Sequence, residues 1–216
     1  MKGLFIVLEG IDGAGTSTQA SLLQAYFNTK NQPAVLSPEP SNGPIGKLLR
    51  EFLQGKIKGD RPLFNNSYKF DQQMAYLFAA DRYYHLYNDV DGVFKLTNEG
   101  VNVISTRYYF SSLAYNCNHK KDNEFVMSLN QKFPQPDLVI YLDIPVTIGV
   151  TRISDRPELE IYENEVKLAQ VRTNFQQIFA RYSGNFLQVD ATEKKEVIHG
   201  KIVQRLETLS IEITNL

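Results

Sequence analysis

A chain of 216 residues can bury about 70% of its surface on folding, enough for one domain with a substantial core. Its 23 basic and 24 acidic residues leave a net charge of −1, which argues against the strongly basic footprint of a nucleic-acid polymer binder. The lone cysteine, Cys117, excludes an internal disulfide, and three histidines argue against a Cys/His zinc site.

In chain order, Leu4–Leu8 is a short apolar run followed by Gly10 and Gly13, the pattern of a strand buried on both faces. Met1-Lys2-Gly3 before it resembles the start of an export signal. The run stops at Glu9, however, short of the ~7–15 apolar residues such a signal uses, and a membrane span needs ~20. A cytoplasmic protein with no membrane partner is therefore expected. Ser17–Asn28 has apolar residues at helical spacing, and Ala34–Leu36 is a second strand closed by Ser37-Pro38-Glu39-Pro40. Helices are expected over Ile45–Phe52, Ser67–Tyr87, Val146–Ile153, Tyr162–Tyr182 and Glu193–Ile213. Strands are expected at Val101–Ile104, Leu138–Leu142 and Phe186–Val189. Five short apolar strands separated by helices predict a mainly parallel, three-layer α/β/α fold. No repeat or linker divides the chain, so residues 1–216 read as a single domain. The polar stretch 154–160, interrupted by Pro157, is the expected lid.

Gly10-Ile11-Asp12-Gly13-Ala14-Gly15-Thr16-Ser17 joins the first strand to the first helix. The P-loop pattern is G-x-x-x-x-G-K-[ST] in that context. Its glycines let successive N–H groups converge on an anion at a helix N-terminus, and the final hydroxyl can ligate Mg²⁺. Gly10, Gly13, Ala14, Gly15, Thr16, Ser17 and Thr18 are thus candidate ATP-phosphate contacts, with Ser17 the candidate metal ligand. Thr16, however, stands where the lysine belongs. A glycine-rich turn without ligand is the alternative reading of this segment taken alone.

Leu8–Gln19 resembles the opening of thymidylate kinases apart from Thr16, and further segments resemble that family in order. These are Pro38-Glu39-Pro40 with Ile45–Arg50, Leu77–Arg82, Arg107-Tyr108 with Ser111-Ser112 and Ala114-Tyr115, Pro136–Pro145, Arg152–Arg156, and Val189–Thr192. The resemblance spans nearly the whole chain. It implies a P-loop NTPase fold with a five-stranded parallel sheet, transfer of a phosphoryl group from ATP to dTMP in dTTP biosynthesis, Mg²⁺, and a homodimer.

The resemblance also implies roles. Phe78 would stack on thymine and Arg82 would donate to its carbonyl, one helical turn away. Arg107 would hold the acceptor phosphate with a guanidinium suited to bidentate contact, helped by Arg50 and Ser111. Asp12 would contact the 3′-hydroxyl, Tyr115 would disfavour a 2′-hydroxyl, and Glu39 belongs to the same dTMP set. Arg152 and Ala191 would lie on the adenine side. With glycine at position 13, the catalytic arginine would come from the lid, as Arg152 or Arg156, which with Asp12 and Arg107 completes the catalytic set.

Two departures stand out. The Walker lysine is Thr16, and the carboxylate that relatives place before Arg107 is Thr106. Lys47, Arg107, Arg152 or Arg156 could replace the cation, and Glu9, Asp12, Glu39 or Asp143 the carboxylate. Losing one preorganised charged donor costs about 10²–10³ in rate. The sequence therefore also admits a catalytically weak nucleotide-binding protein, or a kinase for another deoxynucleoside monophosphate.

Overall fold

A computed structural model describes residues 2–57, 67–117, 120–154 and 160–214. The first strand, β1 (Phe5–Glu9), is buried at every position, as a strand covered on both faces must be. It is followed by α1 (Thr16–Thr29), β2 (Ala34–Leu36), α2 (Pro44–Leu53), α3 (Ser67–Tyr87), α4 (Val93–Asn98), β3 (Asn102–Thr106), α5 (Tyr109–Tyr115), α6 (Lys120–Asn130), β4 (Leu138–Asp143), α7 (Val146–Ile153), α8 (Glu165–Phe179), β5 (Phe186–Asp190) and α9 (Lys195–Thr214). The sheet order is β2-β3-β1-β4-β5, and every pairing is parallel.

The five expected strands form, β2 at its expected bounds and the other four with shifted ends. β1 runs on to Glu9 and β3 to Thr106, because pairing continues beyond the last apolar residue: Leu8 pairs with Thr106, and Glu9 with Tyr141. The short helices α4, α5 and α6 were not expected. The helix expected over Tyr162–Tyr182 is shorter at both ends. Asn164 caps it, its Oδ1 accepting from the Lys167 N–H at 3.0 Å, which leaves Tyr162 and Glu163 in the preceding loop.

The helices pack in two groups. α1 packs on α9, while α5 and α7 pack on α8, and α3 on α2, α4, α5 and α6. An aromatic ladder of Tyr141, Phe175, Phe179 and Phe186 fills the space between β4, β5 and α8. β1 lies at the centre, where the chain first fills one side of the sheet and then the other. The carboxyl ends of its parallel strands open onto a crevice at such a point.

Candidate active site

The loops after β1, β2, β3 and β5 converge around a cavity of about 630 Å³. Asp12 to Thr18 line one wall. Glu39, Arg50, Phe78, Arg82, Arg107, Ser111 and Tyr115 line another, with Arg152 and Ala191 at a third. Gly10 lies behind the wall, its carbonyl accepting from Arg107 Nη1 at 3.3 Å. Among the expected site residues only Arg156 lies outside the described residues, as do 155–159 of the expected lid.

The phosphate loop is shaped by two left-handed glycines, Gly13 (φ 83°) and Gly15 (φ 94°). A Cβ at Gly13 would come within 2.5 Å of the Gly149 carbonyl oxygen on α7, so no side chain fits there. Gly15 is the N-cap of α1. It supplies no side-chain cap, and the first turn carries no acidic residue. The first N–H groups of a helix lack intrahelical partners, and their dipole end favours an anion. This terminus therefore suits phosphate. The described residues hold no group of three or more His, Cys, Asp or Glu side chains fit to bind a metal. Ser17, exposed on the first turn of α1 and lining the cavity, offers one hard oxygen donor.

Facing the loop is a charged cluster. Arg107 Nη2 donates to Asp12 Oδ1 at 2.6 Å, and the Tyr115 hydroxyl donates to Asp12 Oδ2 at 2.8 Å. The guanidinium also lies 5.0 Å from the Tyr115 ring centre. Burial alone would lower the Arg107 pKa. Tyr115, Asp12 and Glu9 outweigh it and raise it, keeping the guanidinium charged. Burial and Asp12 push the Tyr115 phenol well up despite Arg107 nearby, so it stays a donor. Arg107 has φ 76°, a left-handed conformation that costs a non-glycine residue about 1–3 kcal/mol. Its N–H bonds Leu8 O at 2.9 Å, and its carbonyl accepts from Ser105 Oγ at 2.9 Å, which hold that conformation.

The rest of the second wall is built around α3. Asp81 accepts from the Ser41 N–H and hydroxyl, both at 2.6 Å. Arg82 donates from Nε and Nη2 to Glu39 Oε2 at 3.0 and 2.7 Å, from Nη2 to Ser112 at 3.2 Å, and from Nη1 to Asn130. His85 lies between Glu39 Oε1 (3.1 Å) and Ser37 Oγ (2.7 Å). Arg82 and Glu39 are both buried, so each offsets the other's desolvation. Arg82 thus enters the wall already partnered by protein. Phe78, half-buried one turn away, lines the cavity. Arg50 donates to the carbonyls of Pro40 and, at 2.7 Å, of Ser41.

Among the substitutes for the missing pair, Asp143 does not line the cavity and is held by Arg172 at 2.7 Å. Lys47 is exposed and also outside the cavity lining. Arg152 bridges the phosphate loop and the loop after β5, with Nη1 on Gly13 O at 3.1 Å and Nη2 on Ala191 O at 3.2 Å. Lys195, at the start of α9, also lines the cavity and was not foreseen. Nor were Asn116, Tyr162 and Glu163. The Asn164 capping signal would have placed the last two in a loop rather than a helix.

A parallel sheet with an anion-ready loop facing an arginine–carboxylate cluster across one cavity defines a P-loop kinase of small phosphorylated acceptors. The thymidylate kinase family model matches residues 8–202, and the chain belongs to that family. It is 38% identical to a probable thymidylate kinase of Thermococcus kodakarensis, over 95% of this chain and 98% of that one. It is 32% identical to another from Methanocaldococcus jannaschii, over 97% and 98%. The solved thymidylate kinase of Candida albicans superposes with a TM-score of 0.74 at 25% identity, covering 96% of this chain and 92% of its own.

The tight fit at Gly13 makes a specific prediction. Gly13→Ala adds a left-handed alanine and the clash with Gly149, so ATP affinity should fall at least about tenfold, since that needs only ~1.4 kcal/mol. Titration with a fluorescent ATP analogue checks this, with circular dichroism to show that the fold persists. Unchanged affinity would mean the loop conformation does not set phosphate binding.

Proposed function

We propose that the protein transfers the γ-phosphoryl group of ATP to dTMP, giving ADP and dTDP for dTTP synthesis. One observation carries this reading: the uncapped start of α1 and the Asp12–Arg107–Tyr115 cluster share one cavity. The first is suited to donor phosphates and the second to a phosphate-bearing acceptor.

In this reading the amides of Gly13 to Ser17 cradle the donor phosphates, with Thr18 beside them. Ser17 holds Mg²⁺, which neutralises phosphate charge when bound. Arg107 receives the acceptor phosphate, with Ser111 and Arg50 beside it. Asp12 orients Arg107 and meets the sugar hydroxyl. Tyr115 packs under the sugar, and Phe78 stacks on the base over a floor fixed by Arg82 and Glu39. The acceptor phosphate is itself the nucleophile and is largely ionised at neutral pH, so no strong general base is required. Positioning and charge stabilisation then supply the rate. Arg152 spans the phosphate loop and the adenine side.

The reading extends to assembly and compartment. Tyr76, Tyr83 and Tyr87 form an exposed stripe on α3, at 58%, 63% and 44% exposure. Phe125 meets Tyr76 edge-on and Phe94 lies tilted against Tyr87 at its ends. A second copy covering this stripe would bury it, as the expected homodimer requires. No described helix is long and apolar enough to cross a membrane. Cys117 is buried, with its thiol pushed up to about 12 by burial and nearby Asp122. Both features suit work in the cytoplasm.

ADP release should be measured with ATP, Mg²⁺ and a panel of deoxynucleoside monophosphates. Turnover near 1 s⁻¹ or faster with dTMP, lost in Arg107→Ala, is expected. Binding of both nucleotides without ADP release would leave only a nucleotide-binding protein. A second prediction concerns Thr16. With Arg152 and Lys195 already lining the cavity, Thr16→Lys should not raise kcat. A rise of a hundredfold, the worth of one missing charged donor, would show a site lacking its cation.

A further inference from the structure

Glu9 ends β1 with no solvent exposure. Its carboxylate is turned to the start of α5. Oε1 accepts from the N–H groups of Tyr108 (2.8 Å) and Ser111 (3.3 Å), and Oε2 accepts from the Ser111 hydroxyl (2.6 Å). Ser111 Oγ in turn accepts from Arg107 Nη1 at 3.2 Å. The titratable groups around Glu9 are Arg107 after β3, Tyr108 and Tyr109 at the start of α5, Glu39 after β2, and Tyr141, its register partner on β4. Only Arg107 among them is positive. Burial pushes the Glu9 carboxyl up to about 7, against the pull of Ser111, Arg107 and the Tyr108 N–H, with Glu39 adding to the rise.

We propose that Glu9 is the positioning residue of the acceptor-phosphate site, and that arrival of the phosphate at Arg107 moves a proton from solvent onto the Glu9 carboxylate. This rests on the reading of Arg107 as the phosphate's holder. The first argument is electrostatic. A phosphate dianion beside Arg107 offsets the positive field that favours the ionised carboxylate, so Glu9 binds a proton more tightly. The second is hydrogen-bond counting. A hydroxyl has one donor and two acceptor positions. With Glu9 ionised, the Ser111 O–H is spent on Oε2. With Glu9 protonated, Oε2–H donates to Ser111 Oγ, Arg107 still donates to it, and the Ser111 O–H is released to turn to the phosphate. The proton comes from water or buffer, and no bond of the nucleotide changes.

Calorimetry of dTMP binding at pH 7.5, in buffers of different ionisation enthalpy, reads the proton count. At that pH the nucleotide phosphate, with a second pKa near ~6, is almost wholly dianionic and contributes little. Roughly half a proton taken up per dTMP is expected for the wild-type protein, and none with thymidine, which lacks the phosphate. Glu9→Gln keeps the shape, and its amide donates to Ser111 as the protonated acid would. It should show no uptake and an affinity flat from pH 7 to 8.5. The wild-type affinity should weaken roughly fourfold over that range for a one-unit rise on binding. A Glu9 that only supported the fold would leave the proton count untouched by substitution. Equal counts for dTMP and thymidine in the wild-type protein would overturn the proposal without any variant having to fold. Failure of dTMP to bind at all would instead overturn the acceptor-site reading, and this inference with it.

Discussion

The Arg107–Asp12 ion pair is the contact on which the site depends. β1 and β3 are parallel neighbours with Leu8 opposite Thr106, so the residues just beyond their ends meet. Asp12 belongs to the phosphate loop and Arg107 to the segment entering α5. Their 2.6 Å contact therefore fixes the phosphate-loop side of the cavity against the α5 side. The left-handed backbone at Arg107 is held by Leu8 and Ser105, and the guanidinium by Gly10, Ser111 and the Tyr115 ring. A guanidinium so restrained has lost most of its freedom before any ligand arrives. That is the entropy a phosphate would otherwise have to overcome.

The opposite wall follows the same logic with buried charge. Glu39 and Arg82 would each be costly alone in the interior, and together with His85, Ser112 and Asn130 they form one satisfied network. The network joins β2's loop to α3 and sets the height at which Phe78 meets the cavity. The resemblance makes Arg82 a donor to the base. In the fold four of its five N–H groups bond Glu39, Ser112 and Asn130, and its flat guanidinium lies 5.3 Å from the Tyr108 ring centre.

The strands and the phosphate loop were legible because their signals are local. Five apolar runs mark five strands, and Gly10 to Ser17 mark the strand-to-helix turn. Strand ends were less legible, since Ser105, Thr106 and Glu9 are polar and pair only because a neighbour is present. The helices α4 and α5 span six and seven residues, too short for a helical period to show, and α5 is buried on most of its faces. The site was legible as a set of residue types but not as a circuit. That Glu9 reaches Ser111, or that Lys195 comes round to the cavity, depends on contacts across more than a hundred residues of chain, which no local pattern encodes.

In the proposed reaction Asp12 acts on the acceptor phosphate through Arg107. A double-mutant cycle on dTMP affinity, with Asp12→Asn, Arg107→Ala and both together, tests it most directly. The loss caused by Asp12→Asn should shrink sharply once Arg107 is gone, a coupling of at least about 1 kcal/mol. The same loss with and without Arg107 would show that the two side chains act independently, and would contradict the account.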